Sequence, residues 1–255
     1  MGEPLTTEQF WAQHWESPNQ HSARTTGYAA RFWDNVYSRA LHDVRKGQRF
    51  LEVGCGNSQH LPLLAQRYGL EVTGVDYTEN GCAQAREWLA RANVTGTILK
   101  RDLFAANADL RGQFDFVASF GLVEHFANPA ESIALMKRFL KPGGRLITTV
   151  PNITPGSLLV RVQRIIGPRT LAAHRLMTLD DFRQFHESCG LRTTHCNFEG
   201  MGASLVCDEV TPRNRLLHAV TFRGMQVIRR THELLGLPLP RWRFTSLMMF
   251  YIGSA

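Results

Sequence analysis

Glu52 ends an apolar run and is followed by the turn Val53-Gly54-Cys55-Gly56-Asn57-Ser58. Glycines there let the backbone turn sharply and let a ligand lie against bare main chain, while a following helix offers unpaired amides. Asp76 stands 24 residues further on, at the end of the next apolar run, where a carboxylate can accept hydrogen bonds from ribose hydroxyls. A nucleotide-like ligand is therefore expected. The third glycine of a dinucleotide fingerprint is missing, since position 59 is Gln, and Glu52 would repel a pyrophosphate. No Walker-type GxxxxGK is present either. The residues suit a nucleoside without phosphates. S-adenosylmethionine meets that description, because its amino-acid end carries an ammonium that a nearby carboxylate attracts.

Strands must hold these side chains, and the chain supplies them in alternation with helices. RFLEV (49–53), a helix from about Ser58, EVTGV (71–75), a helix after Thr78, TILKR (97–101) and FDFVASF (114–120) follow one another. A helix opening at Asn128-Pro129 and RLITTV (145–150) after the breaker Pro142-Gly143-Gly144 continue the pattern. Such alternation implies a mostly parallel sheet with helices on both faces. Residues 151–177 break the rhythm with a short helix over 158–166 and the basic run Arg161, Arg164, Arg169, His174, Arg175. Alternation resumes with a helix capped by Thr178 and stopped by Gly190, then the strand LRTTHCNF. A long helix over 212–235, with Leu216, Leu217, Val220, Val227, Ile228 and Leu235 as its apolar stripe, precedes a last buried strand, SLMMFYI (246–252). The N-terminal Phe10, Trp11, Trp15, Tyr28, Phe32, Trp33 and Tyr37 are spaced as on helix faces, broken at Ser17-Pro18-Asn19.

At 255 residues and 44% hydrophobic, the chain can bury a core without disulfides or metals. Five cysteines without a CxxC pair suggest neither a disulfide framework nor a zinc ribbon, and Cys189 with His186 lacks a second pair, so no metal is expected. A cytoplasmic setting is the expectation, since MGEPLTTEQF lacks the form of a signal peptide and no stretch is apolar enough to span a bilayer. Of the net charge of +7, residues 151–255 carry 13 Lys and Arg against 7 Asp and Glu.

In its motifs the sequence resembles the class I S-adenosylmethionine-dependent methyltransferases, especially the quinone-type, small-molecule group. The resemblance rests on LEVGCGNS, GVDYTENG, Arg101-Asp102-Leu103, FDFVASFGLVEHF and FLKPGGRLITTVPN, in order over most of 49–198. It implies a Rossmann-like α/β fold: a seven-stranded, mostly parallel sheet whose last strand, SLMMFYI, inserts antiparallel between strands five and six. The layout expected is one domain: a helical cap (1–46), a cofactor-binding core (47–152), a lid insertion after strand five (153–177) and the rest of the sheet (178–255). Site roles follow position by position. Gly54, Cys55, Gly56 and Asn57 would approach the methionine part, with Glu52 near its amine. Asp76 would hold the ribose, Tyr77 would lie against the adenine, Asp102 would meet its amino group and Leu103 would offer an amide. Ser119, Phe120 and Gly121 would border the sulfonium. Asn57-Ser58 departs from the third glycine of many members.

Methyl transfer needs the acceptor's lone pair brought into line with the carbon–sulfur bond, and for a hydroxyl or a protonated amine also a base. His125, beside Glu124 just past the fourth strand, is the first candidate, as base or as positioner; His174 and His186 follow. Tyr28, Trp33, Glu124 and His174 are expected around the substrate. The expected reaction is methylation of nitrogen, oxygen or sulfur in a small, secondary-metabolite-like molecule, leaving S-adenosylhomocysteine. Phe120-Gly121-Leu122-Val123 stands where amino-directed nucleic-acid methyltransferases carry an NPPY-type signature, which argues against nucleic acid. Two alternatives stand beside this reading: a lipid or quinone methyltransferase touching the bilayer through Arg213, Arg215, Arg223, Arg229 and Arg230, and a non-catalytic cofactor-binding protein. Oligomeric state is open. On this reading Asp76→Ala abolishes cofactor binding and leaves the fold intact.

Overall fold

Phe50 and Leu51 point to opposite faces of one strand, and the whole sheet repeats that alternation. The computed structural model describes residues 4–14, 27–200, 207–236 and 246–255. Helices α1 (Glu8–His14) and α2 (Gly27–Ala40) precede β1 (Arg49–Val53), α3 (His60–Tyr68), β2 (Glu71–Asp76), α4 (Glu79–Arg91) and β3 (Gly96–Lys100). Then come β4 (Phe114–Phe120), α5 (Pro129–Lys137) and β5 (Leu140–Pro151). Helices α6 (Leu158–Ile166) and α7 (Pro168–Ala172) interrupt the sequence before α8 (Leu179–Glu187), β6 (Arg192–Glu199), α9 (Arg215–Leu235) and β7 (Met248–Ser254).

The strand order is β3-β2-β1-β4-β5-β7-β6. β7 runs antiparallel between β5 and β6, pairing Met248 with both Pro151 and Glu199, so the expected insertion of the last strand is met. Consequently β5 and β6 end at the same edge as β1, β2 and β4, the carboxyl edge where open sheets of this kind bind ligands. On one face Phe50, Phe116 and Ala118 pack with Val36, Leu61, Leu64 and Leu89 from α2, α3 and α4. On the other, Leu51, Val53 and Val117 pack with Ile133, Met136 and Phe182 from α5 and α8. Each fully buried Leu or Phe of this kind contributes about 1.5–3 kcal/mol.

Local chemistry sets the helix starts. Thr178 and Asp181 form a reciprocal capping box on α8, Thr78 accepts from Gly81 N on α4, and Ser157 accepts from Val160 N on α6.

Some expectations shift. β5 runs through Pro142-Gly143-Gly144 instead of starting after it: Phe114 pairs with Leu140 and Phe116 with Arg145, so the extra residues form a bulge. α8 ends at Glu187 with Ser188 as its C-cap, and Gly190, at φ +72°, reverses the chain two residues later. α9 begins at Arg215, after a turn in which Thr211 N donates to Asn214 Oδ1 and Asn214 N donates to Thr211 Oγ1. Its expected apolar stripe is not buried: Leu216, Val220, Val227, Ile228 and Leu235 are exposed. Spacing places them on a shared face; whether another element covers that face is decided elsewhere. Trp15 and the side chains of Tyr28 and Arg229 lie outside the described residues.

Candidate active site

The glycine turn is built from left-handed backbone at Gly54 (φ +72°) and Gly56 (φ +39°). A side chain on Gly54 would also meet Leu122 Cδ1 at 3.0 Å. Gly54 N and Cys55 N both donate to Val75 O, folding the turn back against β2. Asp76 completes the stitch. Its Oδ2 accepts from Gly56 N (2.9 Å), and its Oδ1 accepts from Thr78 N (2.8 Å) and Thr78 Oγ1 (2.6 Å), tying the turn to the start of α4. Burial raises the Asp76 carboxyl, opposed by those donors. Glu52 is buried and accepts a hydrogen bond from Ser58 Oγ (2.6 Å); burial pushes its carboxyl up to about 8. The Cys55 thiol is raised by burial and wedged against Gly74, which suits a small turn residue. The Asn57 side chain accepts from Trp88 Nε1 (2.5 Å).

Along the edge, Asp102 is exposed and its Oδ1 accepts from Phe104 N (2.9 Å), while Leu103 is buried. Asn107, which the sequence does not single out, shapes this loop by donating to the carbonyls of Asp102, Leu103 and Ala105. Tyr77 OH donates to Thr7 O (3.3 Å), and Leu5 N donates to His125 O (2.8 Å). The N-terminal segment therefore lies across the edge from Tyr77 to His125, with the Trp11 ring 4.8 Å from the His125 ring.

The end of β4 gathers a second group. Glu124 is buried, its two carboxylate oxygens have no hydrogen-bond partner, and Oε1 lies 3.5 Å from where a side chain on Gly121 would sit. Burial pushes this carboxyl up to about 8. His125 Nδ1 meets Ala173 O at 2.7 Å; a carbonyl only accepts, so Nδ1 carries the hydrogen and Nε2, 4.0 Å from Glu124 Oε1, is the basic nitrogen. His174 Nδ1 is fixed in the same way by Thr170 O (2.5 Å), and burial lowers its pKa, against the opposing effect of that hydrogen bond. The two rings lie 4.5 Å apart. One ligand atom from each of Glu124, His125 and His174 falls within 4.8 Å of the others, a set able to share a proton or to hold a divalent ion. Ser119 Oγ and Thr149 Oγ1, also buried at this end of the sheet, have no hydrogen-bond partner. Buried polar atoms in that state call for a ligand or water.

Trp33 lies 5.1 Å from Phe120, at the end of β4, and 4.3 Å from His60, which itself lies 4.6 Å from Phe120. His60 joins the site's wall through Tyr37 (OH to Nδ1, 2.5 Å), and burial pulls its pKa down to about 3. His186 is elsewhere. It is fully buried, donates from Nδ1 to Phe182 O, accepts at Nε2 from Thr148 Oγ1 and stacks on Tyr251, so it is a core residue and no base.

Raised carboxyls carry a stability consequence. Glu52 and Glu124 bind protons more tightly folded than unfolded, so their contribution is whole below 4.5 and is lost as pH rises through about 8. Glu52→Gln and Glu124→Gln are each expected to flatten the decline of ligand-free melting temperature across that window, measured by scanning fluorimetry at stepped pH.

Residues 51–148 match a protein family described as "Methyltransferase domain". Over 177 residues the chain is 29% identical to a ubiquinone biosynthesis O-methyltransferase of Pseudomonas aeruginosa, covering 64% of this chain and 75% of that one. Among solved structures, phosphoethanolamine N-methyltransferase 2 of Haemonchus contortus aligns with TM-score 0.58 at 17% identity, over 97% of this chain and 57% of that one. The [4+2]-cyclase SpnF aligns with TM-score 0.64 at 15% identity, over 99% and 97%. At such identities the structural likeness speaks for the fold alone. The family match is more telling, because it runs through the strands that carry the glycine turn, Asp76 and the Glu124-His125 pair. These comparisons support reading the chain as a class I S-adenosylmethionine-dependent methyltransferase of the small-molecule kind.

Proposed function

We propose that this enzyme methylates the oxygen of an aromatic hydroxyl on a largely apolar biosynthetic intermediate. Glu52 would meet the ammonium of S-adenosylmethionine, the turn from Gly54 to Asn57 its methionine chain, Asp76 its ribose, and Tyr77, Asp102 and the amide of Leu103 its adenine. The fit rests on Glu52: a buried carboxylate whose pKa is lifted by desolvation gains most from a cation placed beside it. When bound, the cofactor supplies an electrophilic methyl group on sulfur, bordered by Ser119, Phe120 and Gly121.

The observation that carries the choice of oxygen is the buried Glu124 carboxylate, 4.0 Å from His125 Nε2 and grouped with two imidazoles. His125 Nε2 takes the hydroxyl proton, and Glu124 stabilises the imidazolium that results. His174 and Trp33 bound the acceptor, and Trp33 with Phe120 and His60 offers aromatic edges to a planar ring. An amine arriving neutral would need no such base. The name of the Pseudomonas relative, a ubiquinone biosynthesis O-methyltransferase, supports the same acceptor class. A quinone precursor and a phenolic secondary metabolite share that chemistry. The five free cysteines suit the reducing cytoplasm expected from the sequence.

Incubation with S-adenosylmethionine and matched single-ring acceptors bearing a hydroxyl, an amine or a thiol tests the reading. S-adenosylhomocysteine should form with the hydroxyl compound, faster as pH rises towards the about 8 at which Glu124 titrates. Turnover confined to the amine or the thiol would overturn it.

A further inference from the structure

The exposed large apolar side chains of the described residues are not scattered. Leu5 and Phe10 lie in the N-terminal segment, Leu158 and Ile165 on α6, and Val210, Leu216, Val220, Val227, Ile228, Leu234 and Leu235 on the connection from β6 to β7. All three segments sit at the carboxyl edge. The first bonds to His125, the second leaves β5 at Pro151, and the third leaves β6 at Glu199 and returns at Met248. Asp208 joins the last two by donating from its N to Ile166 O at the end of α6 and by accepting from Arg169 N, Thr170 N and Thr170 Oγ1 of the adjoining α7.

On α9, residues 216, 220, 227 and 234 fall within about 40° of one another around the helix, and 228 and 235 widen that band. The helix contacts α2, yet this band stays open to solvent over 21 residues, about 30 Å. Arg223 and Arg230 are exposed along the edge of the band, and on α6 Arg161 and Arg164 sit between Leu158 and Ile165. Residues 152–177 hold four Arg and no Asp or Glu; α9 holds four Arg against Glu233 alone. No helix among the described residues is long and apolar enough to cross a membrane. An amphipathic helix with low mean hydropathy, an apolar band and an arginine border is the form that lies in a bilayer interface.

We propose that α9 and α6 dock the carboxyl edge onto an anionic lipid surface, with the Leu, Val and Ile side chains at the acyl boundary and the arginines at the headgroups. Charge selects this occupant over a second copy. Pairing two α9 helices would bring arginine borders together with one Glu each, whereas anionic headgroups neutralise them. The site mouth then faces the phase in which an apolar acceptor dissolves. The inference does not depend on which atom is methylated, and vesicle binding is read without turnover.

The full chain is sedimented with phosphatidylglycerol–phosphatidylcholine vesicles and with pure phosphatidylcholine vesicles, at 50 mM and 500 mM salt. Binding to the anionic vesicles at low salt is expected to fall at least about fivefold with pure phosphatidylcholine or at high salt. The double variant Val220→Glu, Val227→Glu should lose about tenfold or more, with its circular dichroism spectrum and melting temperature unchanged because both side chains are exposed. Equal binding to both vesicle types, no binding to either, or full binding by the double variant overturns the proposal. So does a concentration-dependent dimer in ultracentrifugation that the double variant abolishes while vesicles bind nothing, a result that assigns the face to a second copy.

Discussion

Glu124→Gln lowers turnover by about 10²–10⁴-fold, the range for losing a general-base function, while calorimetry returns close to the parent affinity for S-adenosylmethionine. Glutamine fills the same volume but cannot become the anion that stabilises a protonated His125, whose Nε2 lies 4.0 Å from Glu124 Oε1. His125→Asn separates base from positioner. The Asn side-chain amide can still donate to Ala173 O as Nδ1 does, keeping the loop in place, but it cannot take a proton. A base predicts a fall in kcat and loss of the rise in rate towards about pH 8. A pure positioner predicts a raised KM with the pH profile intact. Because the two groups act as a unit, the double variant should lose little more than either single one. A near-parent kcat in Glu124→Gln removes the cluster from the mechanism.

Asp76→Ala abolishes cofactor binding and also destabilises the protein. From the sequence alone only the first effect is expected; the structure adds the second. The Asp76 carboxylate takes hydrogen bonds from Gly56 N and from both donors of Thr78, so its removal strands buried amides at the glycine turn and at the cap of α4. Stranded buried donors cost about 1–3 kcal/mol each, which points to a loss of roughly 2–4 kcal/mol and a melting temperature lower by about 5–15 °C. Asp76→Asn keeps one carbonyl oxygen for Thr78 and should melt closer to the parent, yet still bind the cofactor at least about tenfold more weakly. Calorimetry and thermal melts on the two variants give the comparison. Unchanged affinity in Asp76→Asn would contradict the placement of the ribose at this carboxylate.

Much of this edge is legible in the residues themselves. Gly54, Gly56 and the acidic strand ends are local signals: left-handed backbone favours glycine, and a strand that ends in a carboxylate is read from a few neighbouring positions. Asn107 and His60 escape such a reading. Asn107 gathers three backbone carbonyls of its own loop, and His60 joins the wall because Tyr37, from a different helix, bonds to it. His186 shows the converse. Its sequence neighbourhood allows a base, but the packing of α8 on β5 and β7 buries it against Thr148 and Tyr251.

The amino-acid order determined the alternation of strands and helices, because periodicity, caps and glycine turns act over a few residues at a time, and its motifs carried the resemblance that implied the seven-stranded sheet. The motifs also led to His125, Glu124 and His174 as site residues, but tertiary structure alone decided that His174, 49 positions beyond His125, would bring its ring within 4.5 Å of that histidine's and close to Glu124, and that the apolar band of α9 would stay uncovered. Both are outcomes of where distant segments come to rest, and a local pattern carries no information about the partner it will meet.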